Sequence, residues 1–169
     1  MTDADLQERY RLLHGDPALA RAEVARLAAL PRPKVIVSAC LLGVRCRYDG
    51  NDKANPAAVD RFAHGDVEIV PLCPEVLGQL GIPRPSVILD GERALTLDGH
   101  DVTTQMDAGA ELANALADLA NAERALLKEK SPSCGVRRIH GLSGLMSGIG
   151  KFAKRLRARG VELHSEEDK

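Results

Sequence analysis

A chain of 169 residues, 44% hydrophobic and with a formal net charge of −1, is long enough for one domain with a sizeable core and has no global pull toward polyphosphate. Two tyrosines, two phenylalanines and no tryptophan weigh against a base-stacking platform for single-stranded nucleic acid. No stretch approaches the roughly 20 apolar residues that span a bilayer, so no membrane partner is expected.

The first residues include Asp3, Asp5 and Glu8 and lack the basic-then-apolar plan of a signal peptide. The expected location is therefore cytoplasmic, where cysteines serve as ligands or catalysts more often than as disulfides. Residues 4–30 place Leu6, Tyr10, Leu13 and then Ala20, Val24, Leu27 at helical spacing, with Gly15–Asp16–Pro17 as a break. This predicts an N-terminal helical extension over 1–30, without chemistry of its own, that packs on the domain or mediates self-association. The remainder, 31–169, reads as one α/β domain.

Strand 34–39 leads into a polar loop, 43–55, and then a helix that Pro56 can open. Strand 67–72 follows. Residues 74–100 are rich in Pro and Gly, with Val87–Leu89 and Ala94–Leu97 as short strands. Helix 102–121 carries the stripe Val102, Met106, Ala110, Ala113, Leu116 and Ala120, with Asp101 as candidate N-cap. Strand 124–129 precedes a glycine-rich loop running to Gly150, a basic helix over 151–159, and an edge strand near Val161–His164. The alternation predicts an α/β fold: a single Rossmann-like domain with a mostly parallel sheet flanked by helices.

Cys40, Cys73 and Cys134 each follow a predicted strand, among polar, turn-forming residues. In a parallel α/β sheet those strand ends converge on one crevice. Three thiolates delivered there suit a zinc ion or an iron–sulfur cluster, both soft acceptors. The close Cys-x2-Cys pairs of structural zinc sites are missing; the nearest pair, Cys40 and Cys46, has five residues between them. Three buried, inert cysteines are the plain alternative.

Other candidates surround these cysteines. Glu75 can serve as a general acid or base, or merely complement a helix N-terminus. Ser131 and Ser133, flanking Pro132, can relay protons or bond a substrate carbonyl, and the amides of Ser133–Cys134–Gly135 can steady developing negative charge. The stretch Arg45–Gly50, with Tyr48 and Asp49, can cover the crevice as a lid or substrate loop. Gly148–Ile149–Gly150–Lys151–Phe152–Ala153 matches G-x-G-x-x-A by letter, but no strand is predicted to lead into it. Its amides, with Lys151, remain a candidate phosphate cradle. The run Lys151, Lys154, Arg155, Arg157, Arg159 is a solvated face or a nucleic-acid contact.

Four segments taken together resemble one bacterial family, the thiouracil desulfidases. They are Ser38–Ala39–Cys40–Leu41–Leu42–Gly43, Cys46–Arg47–Tyr48–Asp49–Gly50, Cys73–Pro74–Glu75–Val76–Leu77–Gly78 and Lys128–Glu129–Lys130–Ser131–Pro132–Ser133–Cys134–Gly135. Asp101–Val102–Thr103 and Ser165–Glu166–Glu167 are similar as well. The resemblance spans roughly 34–165 and implies a [4Fe-4S] cluster on Cys40, Cys73 and Cys134, with one iron open to hydrosulfide and Cys46 as the non-ligand. It further implies Glu75 and Ser131 as catalytic residues in non-redox removal of sulfur from a thiolated nucleobase or nucleotide, such as 4-thiouracil or 4-thiouridine monophosphate. Larger relatives carry a further domain and act on thiolated tRNA; that domain is not found in this sequence, which favours the small substrate over tRNA. The rival expectations are a zinc-dependent pyrimidine hydrolase, a non-enzymatic sulfide or cluster carrier, and an RNA-binding module.

Overall fold

The fold is built on a four-stranded, all-parallel sheet in the order β2–β1–β5–β8, seen in a computed structural model that describes residues 2–169. Its strands are β1 (Lys34–Ser38), β2 (Glu68–Leu72), β5 (Arg124–Leu127) and β8 (Glu162–Ser165). β1 is central and apolar on both faces, as a strand of a doubly covered sheet must be. Its side chains alternate: Ile36 enters the larger core with Leu27, Val70, Leu116 and Phe152, while Val35 and Val37 enter the smaller one with Leu41, Ala58 and Phe62.

Helices cover both faces. α1 (Asp3–His14) and α2 (Pro17–Ala28) begin at the Thr2–Asp5 capping box and the Asp16 cap, with Pro17 in the first turn of α2. α3 (Pro56–Phe62) starts on an Asn55 cap. α5 (Thr103–Leu119) buries its Met106–Ala110–Ala113–Leu116–Ala117 stripe, and α6 (Lys151–Ala158) lies beside it. The expected cap residue Asp101 accepts the Thr103 amide at 2.9 Å, one residue outside the helical turn.

The N-terminal helices belong to the same packing. Leu13, Ala20, Val24 and Leu27 are members of the larger core. α1 also lies along β2, an edge strand, where Arg9 donates to the Ile69 carbonyl at 2.7 Å. A sheet edge is thereby covered, with its Ile69 carbonyl paired within the chain.

A second, smaller sheet in the order β4–β3–β6–β7 stands over the strand ends of the first. It comprises β3 (Val87–Asp90), β4 (Arg93–Thr96), β6 (Arg138–Gly141) and β7 (Gly144–Ser147), mostly antiparallel. β6 and β7 correct the expectation of an unbroken glycine-rich loop. They escape detection because each is four residues long and β7 is exposed throughout, so no period-two apolar pattern exists. The β7 strand also leads directly into Gly148, contrary to expectation. Among the described residues no helix is long and apolar enough to cross a membrane.

Candidate functional site

The parallel order places the topological switch between β1 and β5, where chain connections leave in opposite directions and ligands characteristically bind. Cys40 follows β1 on a tight 3₁₀ turn, Ala39–Leu42. Cys73 follows β2 and caps the short helix α4 (Pro74–Leu77). Cys134 lies on the loop that leaves β5. All four cysteines line one cavity of ≈ 660 Å³, with Glu75, Arg84, Ser131 and Ser133, roofed by Val87, Ile88, Leu97 and Leu142 around the small sheet.

The four thiols are not equivalent. Cys46 is the most deeply covered at 1% exposure, against 8% for Cys40 and 6% for Cys134, and Cys73 is half-buried. Hydrogen bonding to Cys40 and Cys73, reinforced by burial, pushes the Cys46 thiol up. The Cys46 hydrogen bond in turn holds Cys73 below the ordinary thiol value. Burial raises Cys134, with Ser38 beside it acting the other way. Among the described residues no three His, Cys, Asp or Glu side chains converge around a single-ion position. Zinc–sulfur bonds of about 2.3 Å require that convergence. Soft donors spread around a cavity fit a polynuclear cluster better.

Glu75 projects from the first turn of α4 into the same cavity. Arg84 grips its Oε2 with Nε at 2.9 Å and Nη2 at 2.7 Å, while Ser133 donates to Oε1 at 3.3 Å. Burial opposes the Arg84 charge, yet Glu75 and Cys73 beside it keep its pKa above the ordinary value. The same guanidinium donates to the Cys46 carbonyl at 3.2 Å, and the Arg84 amide donates to the Tyr48 carbonyl at 2.8 Å. The 45–50 loop is thus pinned as a wall of the cavity. Tyr48 stands on its rim, 41% exposed. Asp49 is not brought to the cavity: it accepts the Asn51 amide at 3.1 Å and pairs with Arg47 at 3.3 Å.

The position of α4 depends on a close helix crossing. A Cβ on Gly109 of α5 would lie 2.0 Å from the Pro74 carbonyl oxygen, so only glycine admits this approach. The Cys134 loop is organised by Glu129, wholly buried, whose Oε1 accepts the amides of Val136 and Arg137 at 3.0 Å and Arg138 at 2.9 Å. Within that loop the Ser131 hydroxyl oxygen accepts the Ser133 and Cys134 amides, each at 3.1 Å. The Gly135 amide bonds the Ser131 carbonyl at 2.9 Å. The three amides expected to steady negative charge are therefore committed, which removes them from that role.

The phosphate-cradle expectation is corrected in the same region. The amides of Gly150, Lys151 and Phe152 donate to the carbonyls of Gly135, Pro132 and Ser133 at 2.8, 3.0 and 2.9 Å. A Cβ on Gly150 would fall 2.4 Å from the Ser133 carbonyl. The helix start is plugged by the cysteine loop it supports. Lys151 is 5% exposed and bonds Asp107 at 3.0 Å. Lys154, Arg155 and Arg159 pair with Glu92, Asp107 and Asp118, and Arg157 donates to the Val136 carbonyl. The basic run is thus engaged in pairs within the chain.

Nothing in the sequence pattern marks Glu129, Tyr10 or His14 as site residues, and little marks Arg84. Arg84 sits alone in a Pro-rich stretch and Glu129 looks like a surface charge between two lysines. Tyr10 and His14 lie some sixty residues before Cys73 in sequence. Only the lone arginine between Pro83 and Pro85 offered a signal.

A family model described as 2-thiouracil desulfurase matches residues 35–168. An uncharacterized Bacillus subtilis (strain 168) protein, YbbK, is 35% identical over 147 residues, covering 79% of this chain and 96% of YbbK. The solved structure of TudS, a [4Fe-4S]-dependent thiouracil desulfidase, superposes with a TM-score of 0.71 at 41% identity. That match covers 80% of this chain and 92% of TudS.

Proposed function

The chain belongs to the 2-thiouracil desulfurase family, and on that premise we propose that it removes sulfur from a thiolated pyrimidine, with Cys40, Cys73 and Cys134 holding a [4Fe-4S] cluster. The observation that carries this reading is three cysteines, delivered from the ends of three adjacent parallel strands, lining one cavity with a carboxylate and two serines. The named cofactor of the 41%-identical TudS supports it. Cys46 is the least exposed of the four, which favours it as the cysteine left out of the ligand set.

When bound, a cluster with one iron free of protein ligands supplies a thiophilic Lewis acid for the departing sulfur. The chain's own groups do the rest. Replacing C=S by C=O consumes one water and releases hydrogen sulfide without redox change. Glu75, with Oε2 tied to Arg84, presents Oε1 to the cavity and takes the proton of the attacking water. Ser131 uses its oxygen to accept two amides, so its O–H is free to donate toward the substrate. The proton it passes to the leaving sulfur is replaced by the one Glu75 takes from water. Ser133 keeps Glu75 oriented and Met106 backs it at 3.9 Å. Val87, Ile88, Leu97 and Leu142 form an apolar wall for a flat ring, and Tyr48 offers a stacking face at the rim. Asp49 has no part in this arrangement.

The test is turnover of 2-thiouracil, 4-thiouracil and 4-thiouridine monophosphate by anaerobically reconstituted protein, read as sulfide released and loss of the thiocarbonyl near-ultraviolet band. Release from at least one substrate, abolished in Glu75→Ala, is the expected result. A fully loaded protein that turns over none of them refutes the enzymatic reading in favour of a carrier.

A further inference from the structure

One part of the site lies outside the matched family region, residues 35–168, and comes from helix α1. His14 Nε2 accepts the Cys73 backbone amide at 2.9 Å, and His14 Nδ1 bonds the Tyr10 carbonyl at 2.8 Å, which fixes the tautomer with its proton on Nδ1. The two rings stack with centroids 3.9 Å apart. Tyr10 packs into the cluster of side chains containing Cys40, Cys46 and Cys73. Its hydroxyl is buried there without a hydrogen-bond partner. A buried O–H left unmade is costly, and three of the side chains in its cluster are cysteines.

We propose that Tyr10 and His14 form an outer hydrogen-bonding layer for the Cys73 ligand. The Tyr10 hydroxyl donates to the Cys73 sulfur once that thiolate binds the cluster, and His14 fixes the backbone from which it hangs. The inference rests on the cluster reading above. Its physical consequence is specific, because hydrogen bonds to ligand sulfur stabilise the reduced cluster and so raise its potential. The N-terminal helices thereby protect an exposed cluster against oxidation as well as covering the sheet edge. Cys46 also lies within hydrogen-bonding reach of the hydroxyl, and a bond kept to Cys46 in place of Cys73 would leave the potential unmoved in Tyr10→Phe.

The experiment compares Tyr10→Phe, His14→Leu and His14→Gln with the parent as anaerobic holoprotein. The readouts are iron content, midpoint potential and rate of visible bleaching in air. Tyr10→Phe is expected to load iron normally, show a lower potential and bleach roughly 10-fold faster, the scale of losing an outer partner at a metal site. Melting of its apo form should be no lower than the parent's, since the hydroxyl has no partner there. His14→Leu should lose iron, and His14→Gln, which retains an acceptor, should recover part of it. Unchanged potential and bleaching in Tyr10→Phe overturn the proposal, as does a lower apo melting point. Cys73→Ala separates the two failures: iron retained in that variant defeats the cluster reading, whereas iron lost there with Tyr10→Phe silent defeats this inference alone.

Discussion

Glu129→Ala strikes the site without touching any group proposed to meet substrate or cofactor. It removes one acceptor from three amides at 2.9–3.0 Å in the loop that carries Cys134. A buried N–H left unpaired costs about 1–3 kcal/mol, so three set a ceiling near 9. Relaxation and inflow of water reduce that, and a loss of about 4 kcal/mol is expected. For a chain of this size that lowers Tm by roughly 8–16 °C, measured calorimetrically on the apo protein. Glu129→Gln keeps an acceptor but surrenders the charge, and should lose about 2 kcal/mol. The pH dependence follows the same logic. Burial works to raise the Glu129 pKa, but the Arg138 and Arg137 amides outweigh it and hold it below the ordinary 4.5. A depressed folded-state pKa stabilises the protein above the unfolded value and is lost as pH falls through the folded one. Glu129→Gln should therefore flatten the acid limb of the stability profile. An alanine variant melting within roughly 2 °C of the parent would refute the claim that this carboxylate organises the loop.

Arg84→Met should keep iron loading but lower kcat roughly 100-fold, the scale of misplacing a catalytic group by about 1 Å, with KM changed less; an unchanged kcat would mean that Glu75 is oriented without it. Gly109→Ala should displace α4 and with it Cys73 and Glu75, costing both Tm and iron occupancy, because a Cβ there meets the Pro74 carbonyl at 2.0 Å; normal occupancy would show that the helix crossing gives way. Leu142→Ser should raise KM for a thiolated base several-fold while leaving the visible spectrum intact, since an apolar contact of this size carries about 1–3 kcal/mol. A KM equal to the parent's would move substrate away from that wall.

The parallel sheet was legible because β1, β2 and β5 are short apolar runs closed by turn residues, and a buried strand needs nothing more than that. The cysteines were legible for a related reason: Cys40 and Cys73 stand one or two residues past a strand end and Cys134 on the loop that leaves β5, so topology gathers them. What sequence could not carry was pairing across distance. Glu75 suggested itself beside Cys73, but its partner Arg84 lies nine residues on in an irregular segment. Lys128 and Lys130 look like surface charges, and their carboxylate partners Glu166 and Glu167 arrive only when β8 docks at the sheet edge. The glycine motif at 148–153 is ambiguous in sequence because the same letters that admit a phosphate also admit a backbone loop, and here the loop of Pro132–Gly135 occupies the amides. Tyr10 and His14 have regular helical spacing, which reads as core; their contact with the Cys73 segment depends on how α1 lies along β2.

The central claim is that Cys40, Cys73 and Cys134 share one cluster while Cys46, in the same cavity, is not a ligand. Iron and acid-labile sulfide counted per chain on anaerobically reconstituted single Cys→Ala variants test it most directly. The account predicts four of each in the parent and in Cys46→Ala, and loss of the cluster in each of the other three. A cluster retained in Cys40→Ala, Cys73→Ala or Cys134→Ala, or lost in Cys46→Ala, would contradict it.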